Sequence, residues 1–222
     1  MKAGEKRIVS APGLTFHLIG GADAASHEDE LLALRAEVYG QAGEPEAAKR
    51  FGVWRRQPGF VLAEARHGDY LVGYACGMPL RPSTSWWKEL TTPLTAEDIA
   101  EHPGRTFALT ELQVRAAWRR QGIGGSLYNL IMSDRPEERA TLTVAPGASA
   151  AQNAFRNWGW RRIARTRGPD PGTPVVDVLV MDLPAGRALP SAQPSVLRQA
   201  GVGLCGRAGN TPRGGSQVAG PD

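Results

Sequence analysis

Hydrophobic residues recur with two different spacings along the chain as far as Leu183, and polar segments separate them. Apolar runs of strand length, alternating or continuous and bounded by turn residues, predict seven β-strands. The predicted strands are residues 14–21, 60–66, 70–80, 107–114, 140–146, 160–166 and 175–183. The second and third of them flank His67-Gly68-Asp69, which indicates a hairpin.

Apolar positions three or four residues apart predict helices between these strands. The predicted helices are 27–40, 44–57, 149–158, and one that starts in the glycine-rich stretch 118–128 and runs to about Asp134. Residues 81–106 look like an insertion, mostly loop, with one short helix around Thr95 to Glu101. The order of strands and helices predicts an α/β domain with a mixed sheet.

The composition of the chain changes after Leu183. Residues 184–222 are rich in Gly, Pro, Ala, Ser and Arg and show no periodicity, so we expect a disordered tail. The whole chain has 222 residues, of which 41% are hydrophobic, enough for one domain with a proper core. We therefore expect a single folded domain over residues 1–183.

The net charge of +4 comes mostly from the tail, because residues 1–183 carry 22 basic and 21 acidic residues. No long Lys/Arg run with interleaved aromatic residues occurs, so we expect no nucleic-acid partner. No apolar run approaches the roughly 18 residues of a membrane span, and the amino terminus lacks the apolar stretch of a signal peptide. Two cysteines, Cys76 and Cys205, form no disulfide framework. We expect a cytoplasmic protein without a membrane partner.

The stretch WRRQGIGGSLY (118–128) opens a helix with three glycines, although glycine is a poor helix former. A strand followed by a glycine-rich turn and a helix is typical of anion binding, since free N–H groups converge at the helix start. A P-loop needs Gly-Lys-Ser/Thr, but Ser126 follows Gly125 directly. The dinucleotide motif G-x-G-x-x-G needs glycine where Leu127 stands. Both readings fail.

The pattern R-x-x-G-x-G, from Arg119 to Gly124, follows the predicted strand 107–114 directly. It resembles the acyl-CoA pyrophosphate loop of the GNAT superfamily of N-acetyltransferases. NAFRNWGW (153–160) is similar to the family's short helix that leads into a Gly-aromatic corner. The resemblance extends from about Leu14 to Leu183. It implies a mostly antiparallel mixed sheet flanked by helices, in which a splayed pair of strands holds acyl-CoA.

The resemblance also implies which residues contact the cofactor, acetyl-CoA. Backbone amides of the loop would hold the pyrophosphate, and the strand before it would splay from 140–146 and bond the pantetheine arm. The implied cofactor-binding residues are Leu112, Val114, Arg119, Arg120, Gln121, Gly122, Ile123, Gly124, Gly125, Ser126 and Phe155.

The chemistry of acyl transfer to an amine needs a base for the amine and a proton for the leaving thiolate. Glu111, three residues before Val114, is the candidate base; the alternative is a carboxylate that faces solvent or pairs with an arginine across the sheet. Many family members place a tyrosine where this chain has Phe155, and an asparagine where it has Ala148. The proton would then come from solvent, from the amine, or from another hydroxyl such as Tyr128 or Ser149.

The acceptor site is expected from residues 27–57 and 81–106, where Trp86 and Trp87 either wall a pocket or pin the insertion to the core. The resemblance implies transfer of an acetyl group to a small-molecule or peptide amine by direct attack in a ternary complex. The alternative is a non-catalytic acyl-CoA-binding regulatory or interaction module. The four histidines lack metal-ligand spacing, so we expect no metal. The resemblance also allows a homodimer.

Overall fold

The computed structural model of the protein describes residues 8–9, 13–40, 44–167 and 175–183. The expected disordered tail, 184–222, lies outside the described residues, and the domain boundary at residue 183 stays a prediction. All the predicted strands and helices fall at least in large part within the described ranges.

One sheet with both kinds of strand pairing forms the centre of the structure. Its strands are β1 (Ile8–Val9), β2 (Leu14–Gly20), β3 (Val61–His67), β4 (Tyr70–Pro79), β5 (Thr106–Val114), β6 (Arg139–Val144), β7 (Arg161–Arg167) and β8 (Val175–Asp182). Their order across the sheet is β1-β2-β3-β4-β5-β6-β8-β7. Every neighbouring pair is antiparallel except β5 and β6. The predicted fold class is confirmed; only β1, too short to show periodicity, was not predicted.

The helices agree with the prediction in number and differ at their ends. They are α1 (Glu28–Tyr39), α2 (Glu44–Trp54), α3 (Ala96–Ile99), α4 (Ile123–Met132) and α5 (Ser149–Asn157). Helix α2 ends three residues before the predicted end, in a turn that precedes Pro58. Thr95 caps α3 with a capping box that includes Asp98. Within the described ranges, no helix combines the length and apolar character required to cross a bilayer.

The two faces of the sheet are covered by different elements. The α4 face packs against α4 and α5, with residues such as Leu109, Leu127 and Phe155 in its core. The α1/α2 face packs against α1 and α2, with Leu34 and Phe51 among its buried residues. Because side chains alternate along a strand, every central strand contributes to both cores.

The insertion predicted at 81–106 lies on the α1/α2 face, over the half of the sheet that α1 and α2 leave uncovered. Trp86 donates a hydrogen bond from Nε1 to Thr141 Oγ1 on β6, at 3.2 Å. Trp87 is buried and donates from Nε1 to Glu101 Oε1, at 2.9 Å. Leu90 forms a β-bridge with Thr166 of β7. Trp86 therefore bonds the insertion to the sheet, and Trp87 is buried in a cluster with Ala108 and Val178 of the sheet.

An aromatic cluster joins α4 to the end of α5. The rings of Tyr128 and Trp158 stack with centroids 4.1 Å apart, and Phe155 meets Trp158 and Trp160 edge to face. Tyr128 accepts a hydrogen bond from Trp160 Nε1 at 2.9 Å and donates one to Met181 Sδ at 3.7 Å. Burial raises the pKa of the Tyr128 hydroxyl. The Tyr128 side chain is therefore held in place by packing and hydrogen bonds.

Substitution of Tyr128 by phenylalanine tests the contribution of this hydroxyl to the fold. Tyr128→Phe keeps the stacked ring but leaves the buried Trp160 N–H without its acceptor, which costs about 1–3 kcal/mol. Urea unfolding should show a lower free energy of unfolding by that amount. Tyr70 is 51% exposed, so Tyr70→Phe serves as the matched control and should stay within about 0.5 kcal/mol of the parent. Equal stability of both variants would contradict a structural role for the Tyr128 hydroxyl.

Candidate active site

Strands β5 and β6 separate at the centre of the sheet. Their parallel pairing runs only from Thr106 opposite Arg139 to Ala108 opposite Thr141. Beyond this point β5 continues to Val114 and β6 to Val144, without a ladder between them. Backbone groups that face such a gap need another partner, which is the condition for binding an extended polar ligand. The splayed strand pair expected from the sequence is present.

A β-bulge in β5 lies at the edge of this opening. Cys76 of β4 is opposite Glu111, whereas the next residue, Gly77, is opposite Leu109, so Thr110 is an extra residue. Thr110 donates a hydrogen bond from Oγ1 to the carbonyl oxygen of Cys76, at 3.0 Å. Without the extra residue, regular alternation from Leu109 would direct Glu111 toward the α4 face. The bulge therefore places Thr110 and Glu111 together on the α1/α2 face.

The carboxylate of Glu111 is almost completely buried, with 8% of its side chain exposed. Gln113 donates a hydrogen bond from Nε2 to Glu111 Oε2 at 2.5 Å, and Arg35 Nε of α1 lies 3.6 Å from Oε1. Burial raises the pKa of Glu111 above its usual range, and the nearby Arg35, Gln113 and Arg50 oppose that rise. The carboxylate is thus oriented, and it holds a proton more readily than an exposed glutamate does.

Arg35 and Gln113 were not identified from the sequence, although both leave a signal there. Gln113 follows Glu111 by two residues on a strand, a spacing that puts both side chains on one face. Arg35 lies among Leu31, Leu34 and Val38 on the apolar stripe of α1, where a charged residue needs a buried partner. Glu111 thus has an arginine partner, but Arg35 comes from helix α1, whereas the alternative expected from the sequence was an arginine across the sheet.

A pocket of about 650 Å³ opens beside Glu111 on the α1/α2 face. Its floor is formed by Thr110 and Glu111 of β5 and Thr143 of β6, at the opening between the strands. The walls come from α2, the end of β4, the insertion and the end of β7, and include Trp54 and Trp86. Both segments expected to shape the acceptor site, 27–57 and 81–106, thus contribute residues to one pocket. Trp86 lines this pocket as well as anchoring the insertion.

The glycine-rich loop follows the carboxyl end of β5 and leads into α4. Gly122 precedes the helix with a left-handed φ of 83°. The amides of Ile123, Gly124 and Gly125 have no backbone acceptor among the described residues, as expected for the first turn of a helix. A Cβ atom on Gly122 would meet nothing within 4 Å, and one on Gly124 only Val114 Cγ2, at 3.8 Å. The loop offers converging amides beneath open space, which suits a diphosphate.

The side chains of the loop mostly hold the loop itself. Arg119 donates from Nε to the carbonyl oxygen of Val114 at 2.9 Å, which fixes the loop to the end of β5. Arg120 is exposed with a φ of 62°, and Gln121 donates from Nε2 to Ala117 O at 3.3 Å. The Ser126 amide donates to Gly122 O at 3.0 Å. The amides before Ser126 are therefore the free donors.

The remaining residues predicted to contact the cofactor lie in the core of the α4 face. Leu112 and Val114 direct their buried side chains there, so any contact with an extended ligand in the strand opening would use their main chain. Phe155 is fully buried between Trp158 and Trp160. Ala148 packs against the same core. Among the residues that the structure describes, no group of three His, Cys, Asp or Glu side chains could hold a metal ion.

A comparison with protein families matches the same elements. The model of the family described as acetyltransferase (GNAT) family matches residues 28–160, more than half of the chain. The chain belongs to the GNAT acetyltransferase family. Membership indicates acyl transfer from acyl-CoA. A comparison with curated protein sequences finds no match.

Solved structures with this fold include several acetyltransferases. Aminoglycoside 6'-acetyltransferase type Ii is 13% identical, with a TM-score of 0.53 over 76% of this chain and 97% of that chain. A GNAT family acetyltransferase from Elizabethkingia anophelis, solved with acetyl-CoA bound, is 13% identical, with a TM-score of 0.51 over 78% and 100%. The ribosomal-protein-S18-alanine N-acetyltransferase from Escherichia coli is 13% identical, with a TM-score of 0.50 over 76% and 93%. At these identities the similarity establishes the fold alone.

Substitution of Gly124 tests the loop of this GNAT acetyltransferase. Gly124→Val places a branched side chain in the open space above the free amides, so we expect CoA to bind at least tenfold more weakly, about 1.4 kcal/mol. Titration calorimetry with CoA measures the dissociation constant. Gly20 has no neighbour within 4 Å of an added Cβ and, like Gly124, no positive φ. Gly20→Val is therefore the control, with unchanged affinity. Unchanged affinity in Gly124→Val would refute the loop as the diphosphate site.

Proposed function

We propose that this GNAT acetyltransferase transfers an acetyl group from acetyl-CoA to the amine of a small molecule or peptide. Both substrates bind together, and the amine attacks directly, without a covalent enzyme intermediate. The enzyme acts in the cytoplasm, without a nucleic-acid or membrane partner, and can form a homodimer. The observation that carries the proposal is the buried carboxylate of Glu111 on the floor of a pocket, at the opening between β5 and β6.

The donor site lies beyond the carboxyl end of β5, the strand that carries Glu111. The free amides from Ile123 to Gly125 would hold the diphosphate, and the edge of β5 around Leu112 and Val114, which forms no ladder with β6, would bond the amide-containing arm. When bound, acetyl-CoA supplies an activated acyl group as a thioester. Strand β5 thus links the diphosphate loop to the carboxylate, so one rigid element sets the distance between donor and base.

Glu111 would act as the base that removes a proton from the acceptor amine. An amine must be neutral to attack a carbonyl carbon, and a base is most effective when its pKa approaches the working pH. Burial raises the pKa of Glu111 and so brings it closer to the working pH. The hydrogen bond from Gln113 fixes the orientation of the carboxylate, and Arg35 limits how far its pKa rises.

The proton for the leaving thiolate would come from the attacking amine or from solvent. Phe155 has no proton to donate. Tyr128 belongs to the same aromatic cluster, but its hydroxyl is buried and donates to Met181 Sδ, and its raised pKa makes it a weak acid. Ser149 is exposed at the first turn of α5. These contacts support a mechanism in which Glu111 is the one side chain that handles a proton.

The pH dependence of Glu111→Gln tests the assignment of the base. The ionised carboxylate is the active form, so kcat/KM should rise with pH through a pKa above the ordinary value of about 4.3. Glu111→Gln should lose that limb and about a hundredfold in kcat, a typical contribution of a general base. Initial rates of thiol release between pH 5 and 9 provide the measurement.

Glu64→Gln is the control for removal of a buried carboxylate. Glu64 is buried on the same face and accepts a hydrogen bond from Arg66, but it does not line the pocket. Its variant should keep the pH limb of the parent. A Glu111→Gln enzyme with the parental rate and pH profile would refute the base.

A thiol-release screen separates catalysis from the alternative function, a non-catalytic acyl-CoA-binding module. Phe155, in place of a proton donor, is the observation that favours the alternative. Acetyl-CoA is incubated with amines, polyamines, amino acids, aminoglycosides and peptide amino termini, and free thiol is measured. We expect release above background with at least one class. Tight binding of acetyl-CoA with no release from any class would support the binding module.

A further inference from the structure

The charged residues that line the pocket are unequal in sign. Four are cationic and two are anionic: Arg50, Arg81, Lys88 and Arg167 against Glu89 and Glu111. Glu111 lies on the floor, where the proposed function uses it as the base. Among the described residues that line it, the mouth of the pocket is therefore cationic, with Glu89 as the one carboxylate.

Three of these cations are at the exposed rim. Arg81, Lys88 and Arg167 are exposed, and none of them forms an ion pair with a residue in the described part of the chain. Other arginines of β7 are different: Arg165 lies 2.9 Å from Asp177 of β8, and Arg161 lies 3.7 Å from Asp182. Described carboxylates thus pair with the β7 arginines away from the pocket, whereas none of them pairs with the three rim cations.

The insertion and β7 hold these cations in place. The backbone amide of Lys88 donates to Ser85 O, and the carbonyl oxygen of Lys88 accepts from Thr166 Oγ1 at 3.3 Å. Thr166 is followed by Arg167 at the end of β7. Lys88 and Arg167 therefore project from a segment and a strand whose backbones are joined by hydrogen bonds, at one side of the pocket.

We propose that the acceptor carries an anionic group, a carboxylate or a phosphate, in addition to the amine that is acylated. The inference rests on the proposed function, because it takes Glu111 as the place of the amine. The anionic group stays at the rim against Arg81, Lys88 and Arg167, while the amine reaches the floor. A volume of about 650 Å³ lies within the usual range of small-molecule pockets, which leaves room for an acceptor with two functional groups.

A polycationic acceptor fits this pocket poorly. Like charges repel at the rim, and the one rim carboxylate, Glu89, cannot balance several ammonium groups. The similar fold of an aminoglycoside acetyltransferase therefore does not indicate the same kind of acceptor here. Attraction of an anion by exposed cations is weakened by salt, since the screening length falls to about 8 Å at physiological ionic strength.

Paired acceptors test the charge requirement. Each pair differs in one anionic group: an amino acid and its amide for the carboxylate, and phosphoethanolamine and ethanolamine for the phosphate. Thiol release gives kcat/KM, and calorimetry with saturating CoA gives binding without turnover. We expect the anionic member of at least one pair to bind and react about tenfold better, with an advantage that shrinks at high salt. The two pairs distinguish carboxylate from phosphate.

Reversing the charge of one rim residue tests whether the rim of the pocket recognises the anionic group. Lys88→Glu should weaken binding of the preferred anionic amine at least tenfold and leave its neutral partner unchanged. Lys49 is an exposed lysine on α2 that does not line the pocket, so Lys49→Glu is the matched control with parental affinity. A Lys88→Glu variant that loses affinity for CoA itself would show that the rim serves the donor, and would overturn the inference.

The outcomes separate this inference from the proposed function. Anionic amines that bind in a Lys88-dependent way without thiol release would support the inference and refute catalysis. Thiol release that is equal or faster with neutral or polycationic amines would support catalysis and overturn the inference. Absence of binding by every anionic probe would also overturn it.

Discussion

The geometry of the site depends on one extra residue in β5. Because side chains alternate along a strand, an insertion of one residue reverses the face of everything that follows. Thr110 is that residue, and its hydroxyl bonds the carbonyl oxygen that the irregular ladder leaves beside it. Downstream of it, Glu111 faces the pocket while Leu112 faces α4. The same strand can therefore carry a carboxylate on one face and support the diphosphate loop from the other.

The two faces of the sheet have different roles in the proposed function: the α4 face supports the diphosphate loop, and the α1/α2 face contains the pocket and Glu111. The α4 face is apolar and continuous, and its aromatic cluster holds α4 and α5 firmly at the ends of β5 and β6. The α1/α2 face carries buried polar side chains. It also contains the pocket, which lies between α2 and the insertion. The free amides of α4 need a rigid support, since an anion site gains most from donors that do not have to be reorganised.

Much of the fold could be predicted from the sequence, because the strands and helices keep regular periods and the glycine loop follows a strand directly. The position of Glu111 on its strand was readable, but its face was not. Alternation counted from Leu109 gives the wrong face, and only the pairing with β4 reveals the extra residue. The sequence likewise did not decide whether Trp86 packs against the core or forms a wall of the pocket. In the structure it does both, since it lines the pocket while its N–H bonds β6.

Polar residues buried under α1 are the cost of this arrangement. Glu64, Tyr74 and Gln113 face one another across three neighbouring strands, and Glu111 lies beside them on the same face. Apolar side chains at such positions would usually stabilise a sheet at least as well, because burying a charge requires a partner with good geometry. The partners are present: Arg66 bonds Glu64, and Gln113 bonds Glu111. For Glu111, burial raises the pKa, and the ion pair with Arg35 and the hydrogen bond from Gln113 oppose that rise without cancelling it. A bidentate arginine pair would lower the pKa further and suppress the uptake of a proton. The balance between burial and the Arg35 ion pair is therefore as important to the proposed chemistry as the presence of the carboxylate.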